Sequence, residues 1–244
     1  MDTLDTSRID TAVDSNGETE KQKKQLFLGF YNYTVILTYM AIPAVVLGIT
    51  AAFFNHFYTA LVCIMFAGLC DAFDGKVART RSKSTEEERS FGIQIDSLVD
   101  LVCYGVTPAV MGFALLIQHY NIEKITVRFI ISALVFAFYI LAAIIRLAYY
   151  NVTEETRQKT EKGNRKYFCG MPVTTAALLI PAIFIFYNTF SKQTFTTVYT
   201  VCLAVIAILF ISNFKLRKPG IRGLIIMVIL GAGVLAALLI TATM

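Results

Sequence analysis

Seven mostly apolar stretches, each about twenty residues long, run along this chain, near 34–54, 57–78, 92–118, 128–150, 171–190, 194–213 and 220–241. A helix rising about 1.5 Å per residue needs roughly that length to cross the ~30 Å hydrocarbon core of a bilayer. The chain is therefore expected to be all-α, a polytopic transmembrane helical bundle of about seven spans. Composition agrees: 56% of the 244 residues are hydrophobic and only 16% charged, which excludes a soluble globule. Residues 1–25 are polar, rich in Asp and Thr and without an apolar stretch, so a disordered cytoplasmic tail is expected there and not a cleavable signal peptide. Residues 26–244 are then expected to form one transmembrane domain.

Two fragments break the apolar pattern. Asp71-Ala-Phe-Asp74-Gly75-Lys-Val-Ala78-Arg79 and Gly92-Ile-Gln-Ile-Asp96-Ser-Leu-Val-Asp100 put four carboxylates into segments that otherwise read as membrane-embedded helix. An ionisable side chain at that depth is costly unless it is paired, hydrated or bound to a cation. Residues three, four and seven apart share a helix face, so Asp71, Asp74 and Ala78 line one stripe, and Gly92, Asp96 and Asp100 another. Brought face to face, the stripes would crowd four carboxylates, and one or two divalent cations would relieve the repulsion. All-oxygen ligands point to Mg²⁺, Mn²⁺ or Ca²⁺. Gly75 and Gly92 each cost a helix about 1 kcal/mol against Ala but let a ligand come close to the backbone. Small-residue helix packing is the competing reading for Gly75 and Ala78, and both can hold at once. Arg79 could reach phosphate on the approaching ligand. For Asp71 and Asp74 alone, a solvated helix cap competes with the ligand reading. Asp96 and Asp100 resist it, because Leu98, Val99, Leu101, Val102 and Val106 keep their helix apolar.

These residues carry a resemblance. The pattern D-x2-D-G-x2-A-R, then a spacer, then G-x3-D-x3-D resembles the signature of the CDP-alcohol phosphatidyltransferases, integral membrane enzymes of phospholipid synthesis. The spacer, residues 80–91, is longer than is usual in that family and rich in Lys, Arg and Glu; it is expected to lengthen a polar cytoplasmic loop and leave the acidic cluster intact. Asp96-Ser97-Leu98-Val99-Asp100-Leu101-Val102, running on into Cys103-Tyr104-Gly105-Val106-Thr107-Pro108-Ala109, is similar to the phosphatidylserine synthase branch. Two later blocks, Arg146-Leu147-Ala148-Tyr149-Tyr150-Asn151 and Phe168-Cys169-Gly170-Met171-Pro172, are similar to that branch as well.

The resemblance implies the fold of that family and attack of the L-serine hydroxyl on the β-phosphorus of CDP-diacylglycerol, giving phosphatidylserine and CMP. It implies two divalent ions, Mg²⁺ or Mn²⁺, held by Asp71, Asp74, Asp96 and Asp100, with Asp100 also the general base. Gly75, Ala78 and Arg79 are implied contacts of the CDP-lipid, joined by Asn32 and Thr34 at the start of the first span. Arg146, near the end of the apolar run 140–150, needs an anionic partner. Serine's carboxylate or the product phosphate would serve, and so would a salt bridge to a motif Asp or a snorkelling position at the interface. Asn151 is a further headgroup contact. A homodimer is implied by the family, and no nucleic-acid partner is expected.

Lys and Arg set the orientation. With the N-terminus cytoplasmic, Lys124, Arg128 and Lys192 fall on the outer face and Arg8 lies in the distal tail; the rest of the 22 lie on the cytoplasmic side, around the acidic motif. A multi-pass enzyme of the cell membrane with a cytoplasm-facing site is the expectation, its basic rim anchoring topology and available to anionic lipid headgroups. Cys63, Cys70, Cys103, Cys169 and Cys202 form no CxxC pair and read as small apolar packers, and His56 and His119 read as interfacial. Two rival functions stand beside the serine reading. One is a related transferase for glycerol 3-phosphate or inositol phosphate, which would call for a larger cationic pocket. The other is a cation- or proton-coupled transporter, weakened by the lack of a second Asp-bearing half.

Overall fold

Each apolar stretch folds as helix in the computed structural model, which describes residues 36–78, 85–120, 127–160, 167–217 and 221–243. In chain order the helices are α1 (Ile36–Phe53), α2 (Phe57–Ala78), α3 (Glu86–Asp100), α4 (Thr107–His119), α5 (Val127–Thr160), α6 (Ala176–Phe184), α7 (Lys192–Ile211) and α8 (Ile221–Thr243). A six-residue π-helical turn, Leu101–Val106, joins α3 and α4 into one continuous rod. The expected tail 1–25 and Asn32, Thr34 and Arg79 lie outside the described residues, and of Asp74, Gly75 and Ala78 the helical backbone alone is described.

Five of these runs are long and apolar enough to cross a bilayer: Ile36–Phe53, Glu86–His119, Val127–Arg157, Lys192–Ile211 and Ile226–Thr243. Phe57–Phe73 and Val173–Phe184 are shorter apolar helices. The all-α, multi-pass expectation holds, and the stretch 171–190 departs from it most. There α6 stops at Phe184, and the chain goes on through turns closed three residues back, from Phe186 N–H to Ile183 O (3.2 Å) and Tyr187 N–H to Phe184 O (3.0 Å). Such winding rises about 2.0 Å per residue against 1.5 Å in an α-helix, so the segment reaches further than its α-helical length suggests.

Two helices run past their expected ends. α3 begins at Glu86, so part of the spacer expected as loop is helical. Thr85 caps it: its hydroxyl accepts from Glu88 N–H while the Glu88 carboxylate accepts from Thr85 N–H, both at 3.2 Å. Glu86, Glu87 and Glu88 add negative charge where the helix end is positive. α5 continues to Thr160, supported one turn from its end by Arg157 Nε donating to Glu154 (3.0 Å).

One small addition to the helical bundle is a pair of antiparallel strands, β1 (Tyr167–Cys169) and β2 (Lys215–Arg217), with Phe168 opposite Leu216. The chain leaves β1 through Gly170 at φ +73°, where a Cβ would lie 2.7 Å from the Ser212 carbonyl oxygen; the turn needs glycine for both reasons.

The rods alternate in direction, which sorts their ends into two groups. Ser97 with Asn151, Arg146 with Met171 and Gly170 with Phe214 meet at one end. Gln118 with Phe53, Tyr120 with Gln193 and Asn188 with Thr241 meet at the other. That second end holds an aromatic core in which Phe57, Phe184, Phe195 and Tyr199 are fully buried, the Phe184 and Phe195 rings 5.0 Å apart and edge-on.

Candidate active site

At the first of these ends α2 and the α3–α4 rod bring acidic residues together. Asp71 of α2 and Asp96 and Asp100 of α3 present carboxylate oxygens that all lie within 4.8 Å of one another. Asp96 and Asp100 are one turn apart and so share a face, as their spacing requires. Asp100 is buried, and Asp71 and Asp96 are half-buried. Close approach of α2 depends on Gly68, one turn before Asp71: a Cβ there would sit 2.7 Å from the Ala177 methyl at the start of α6. The three carboxylates face a pocket of about 10 Å³, room for one water or small ion, closed by Thr38 of α1 together with Val99, Cys103 and Tyr104.

Three carboxylates crowded around one small pocket form a hard oxygen donor set of the kind that Mg²⁺, Mn²⁺ and Ca²⁺ prefer. Like charges gathered so closely repel one another, and a divalent cation relieves that repulsion. The residues present therefore fit a divalent cation, and the sequence-predicted ligands Asp71, Asp96 and Asp100 are brought together. Asp74 lies one turn beyond Asp71 on the α2 backbone.

Gly92 behaves unlike Gly68. A Cβ at Gly92 would meet nothing within 4 Å, so packing does not demand glycine there, and the space in front of α3 is open. Beside it, between α3 and the end of α5, a polar pocket of about 310 Å³ is lined by Glu86, Arg89, Ser90, Gln94, Asn151 and Glu155. Asn151 accepts from the Ser97 hydroxyl at 2.9 Å, which ties α5 to the turn of α3 between Asp96 and Asp100. Arg146 lies one turn deeper on α5. It is 5% exposed, which rules out the snorkelling position, and its Nε donates to the Met171 carbonyl at 3.0 Å while its guanidinium lies 5.8 Å from the centre of the Tyr150 ring.

An apolar groove of about 410 Å³ opens on the other flank. It runs between α2, α6 and α8 from Asp71 and Ala72 past Leu69, Phe66 and Val62 to Met227 and Leu235. Its chemistry suits a hydrocarbon chain, with the carboxylate cluster at one end.

Some site residues escaped the sequence reading. Thr38, 5% exposed, lines the acidic pocket from a position one turn after Thr34, and helical spacing carried from Thr34 through 38, 41 and 45 would have flagged it. Ser97 was visible only as part of a motif block. Its partnership with Asn151 spans 54 residues and has no local signal.

The CDP-alcohol phosphatidyltransferase pattern matches residues 31–212. The CDP-diacylglycerol–serine O-phosphatidyltransferase of Saccharomyces cerevisiae is 32% identical over 146 residues, 52% of this chain and 48% of that protein. The Helicobacter pylori (strain 26695) enzyme of the same name is 25% identical over 184 residues, 73% of this chain and 69% of that protein. The archaetidylserine synthase of Methanothermobacter thermautotrophicus is 30% identical over 134 residues, 54% of this chain and 49% of that protein. The chain thus spans between about half and two-thirds of the length of these relatives. The family match, by contrast, takes in well over half of this chain, which belongs to the CDP-alcohol phosphatidyltransferase family.

Proposed function

We propose that this chain transfers the phosphatidyl group of a CDP-diacylglycerol-type lipid to L-serine and releases CMP. The observation that carries the reading is the convergence of Asp71, Asp96 and Asp100, from two helices of an apolar bundle, in a member of this family. The names of the relatives, all serine-specific, support serine as the acceptor. Divalent-metal dependence is general in the family.

Asp71, Asp74, Asp96 and Asp100 would hold two divalent ions, Mg²⁺ or Mn²⁺, by their carboxylate oxygens. Bound there, such ions supply charge neutralisation for the pyrophosphate and for the departing CMP oxygen. Asp100 takes the proton of the serine hydroxyl as its oxygen bonds to the β-phosphorus and the bridging P–O bond to CMP breaks. Gly75 and Ala78, together with Asn32 and Thr34, receive the nucleotide side of the lipid, and Arg79 its phosphates. The open space before Gly92 supports approach of a bulky ligand to α3. The groove between α2, α6 and α8 accommodates a lipid chain. Arg146 binds the serine carboxylate, and Asn151, on the rim of the polar pocket, contacts the serine headgroup.

Residues 26–244 act as the catalytic domain behind a disordered tail, as a homodimer, with the site facing the cytoplasm. Orientation is tested by single cysteines. At residues within 80–91 and at Lys162 they should react with a membrane-impermeant maleimide only from the cytoplasmic side, and at Lys192 only from outside; reversed labelling overturns the orientation. The reaction is tested by incubating purified protein with CDP-diacylglycerol, Mn²⁺ and labelled serine. Equimolar CMP and a labelled lipid are expected. Transfer to glycerol 3-phosphate or inositol phosphate in place of serine would overturn the acceptor. Comparing CDP-diacylglycerol with CDP-archaeol decides the chain type.

A further inference from the structure

Asp96 and Asp100 stand on one side of the π-turn Leu101–Val106, and Pro108 stands on the other. Proline has no N–H to give the carbonyl four residues back, here that of Tyr104, and its ring crowds that carbonyl. The helix widens at this place: Thr107 sends both its N–H and its hydroxyl (2.8 Å) five residues back to the Val102 carbonyl. The Tyr104 carbonyl is met from another helix. Tyr139 of α5, with no exposed surface, donates its hydroxyl to it at 2.7 Å. Tyr199 of α7, equally buried, donates to the Pro108 carbonyl at 2.8 Å. Gly105 lets α5 press against the turn, since a Cβ there would lie 3.1 Å from the Ala143 methyl.

An extra residue in one turn rotates α3 against α4 by about 100°. Most α4 side chains, among them Thr107, Met111 and Leu115, are locked in the core. The state of the turn therefore decides which way Asp96 and Asp100 point. We infer that Tyr139 is a positioning residue: by holding the Tyr104 carbonyl in the widened turn it aims Asp96 and Asp100 at Asp71 and so sets the affinity of the cluster for a divalent cation. The inference rests on the reading of these aspartates as metal ligands.

The test measures Mn²⁺ binding to the purified full chain in detergent by electron paramagnetic resonance, beside thermal unfolding and the serine-transfer assay. Y139F keeps the ring and removes only the hydroxyl. Its Mn²⁺ dissociation constant should rise about tenfold, the usual effect of losing a group that orients metal ligands, with the Mn²⁺ concentration for half-maximal transfer rising in parallel. The double variant P108A/Y139F restores an N–H at 108 for the Tyr104 carbonyl. Its unfolding temperature should recover while Mn²⁺ binding stays weak, because the regular α-turn points the aspartates away. Unchanged Mn²⁺ affinity in Y139F would overturn the inference. So would recovery of affinity together with stability in the double variant, which would make Tyr139 a filler of one carbonyl. If Y139F does not survive purification, the double variant decides alone. A parent protein that binds Mn²⁺ but transfers nothing to serine refutes the proposed acceptor and leaves this inference to the binding data; a parent that binds no Mn²⁺ overturns both.

Discussion

At the end of the bundle where α1 finishes and α2 begins, polar side chains close on the carbonyls that helix ends leave over. Gln118 Nε2 donates to the Ala52 and Phe53 carbonyls at 2.9 and 3.2 Å and Asn188 to that of Thr241 at 2.9 Å, and the Tyr120 hydroxyl donates to the Gln193 carbonyl in the first turn of α7 at 2.9 Å. His119 sits between the hydroxyls of Thr196 (2.8 Å) and Tyr187 (3.3 Å), and Lys192 caps the Tyr187 ring at 3.6 Å. At the opposite end, beside the Ser97–Asn151 and Arg146–Met171 hydrogen bonds, three carboxylates gather within 4.8 Å of one another. At the first end the donors of Gln118, Asn188 and Tyr120 go to the protein's own carbonyls. The other keeps a concentration of like charge that a cation would relieve. Side-chain hydrogen bonds between helices thus dominate one end of the bundle axis and crowded like charge the other.

The comparison breaks most visibly at the carboxylates. Chelation with EDTA should abolish serine transfer, and Mg²⁺ or Mn²⁺ should restore it; full turnover after exhaustive dialysis against EDTA would remove the metal site. Asp100→Asn should lower turnover on the order of 10²–10⁴-fold, the range for a lost general base. It should retain more CDP-lipid binding than Asp71→Asn or Asp96→Asn, measured by titration with a fluorescent CDP-lipid. In the absence of metal, each of these variants should unfold at an equal or higher temperature than the parent, because a like charge has been removed from the cluster. A drop would mean the carboxylates hold the fold together and the two ends are not divided as described.

A tenfold effect is expected at Arg146. Arg146→Lys keeps the charge and loses the planar fork, so the serine KM should rise about tenfold, and more than it does in Arg79→Lys, which should chiefly weaken the CDP-lipid. Unchanged serine kinetics would make Arg146 a fastening between α5 and the Met171 carbonyl only. The far end should respond in the other currency. Gln118→Ala removes two hydrogen bonds to α1 and should cost about 1–3 kcal/mol of stability, read by thermal unfolding, with the Mn²⁺ requirement unmoved. A shifted Mn²⁺ requirement would couple the two ends. The smallest effect belongs to Thr85→Ala, which removes the α3 cap at about 1 kcal/mol. Faster amide exchange in the first turn of α3 is expected, with turnover within about twofold of the parent because the cap is remote from Asp100.

How much of this was legible depended on whether the signal was local. Apolar length placed the helices, and the spacings Asp71 to Asp74 and Asp96 to Asp100 gave the acidic stripes. The start of α3 was equally legible, since Thr85-Glu86-Glu87-Glu88 is a capping box, but the charge of the segment 80–91 read as loop. Pro108 lies inside the stretch 92–118 that reads as one uninterrupted span, and nothing local says that the helix widens there; the Tyr104 carbonyl is met by Tyr139, thirty-one residues on from Pro108 and on a different helix. The pairing of Tyr167–Cys169 with Lys215–Arg217 joins three-residue segments separated by two helices, too short for any periodicity to show. Apart from the start of α3, what escaped was a contact between distant elements.

The rod from Glu86 to His119 contains 34 residues and so measures about 51 Å, well beyond a hydrocarbon layer of ~30 Å. Counted back from His119, Asp100 lies about 29 Å along it. If the His119 end stands at one edge of the hydrocarbon, Asp100 stands at the other, level with the phosphates of the lipid leaflet, and the turns from Glu86 to Ile95 project into the headgroups and water. A nucleotide headgroup and a small polar acceptor could then reach the carboxylates from the aqueous side while the chains of the same lipid remain in the bilayer, and neither substrate would have to leave the phase in which it is soluble.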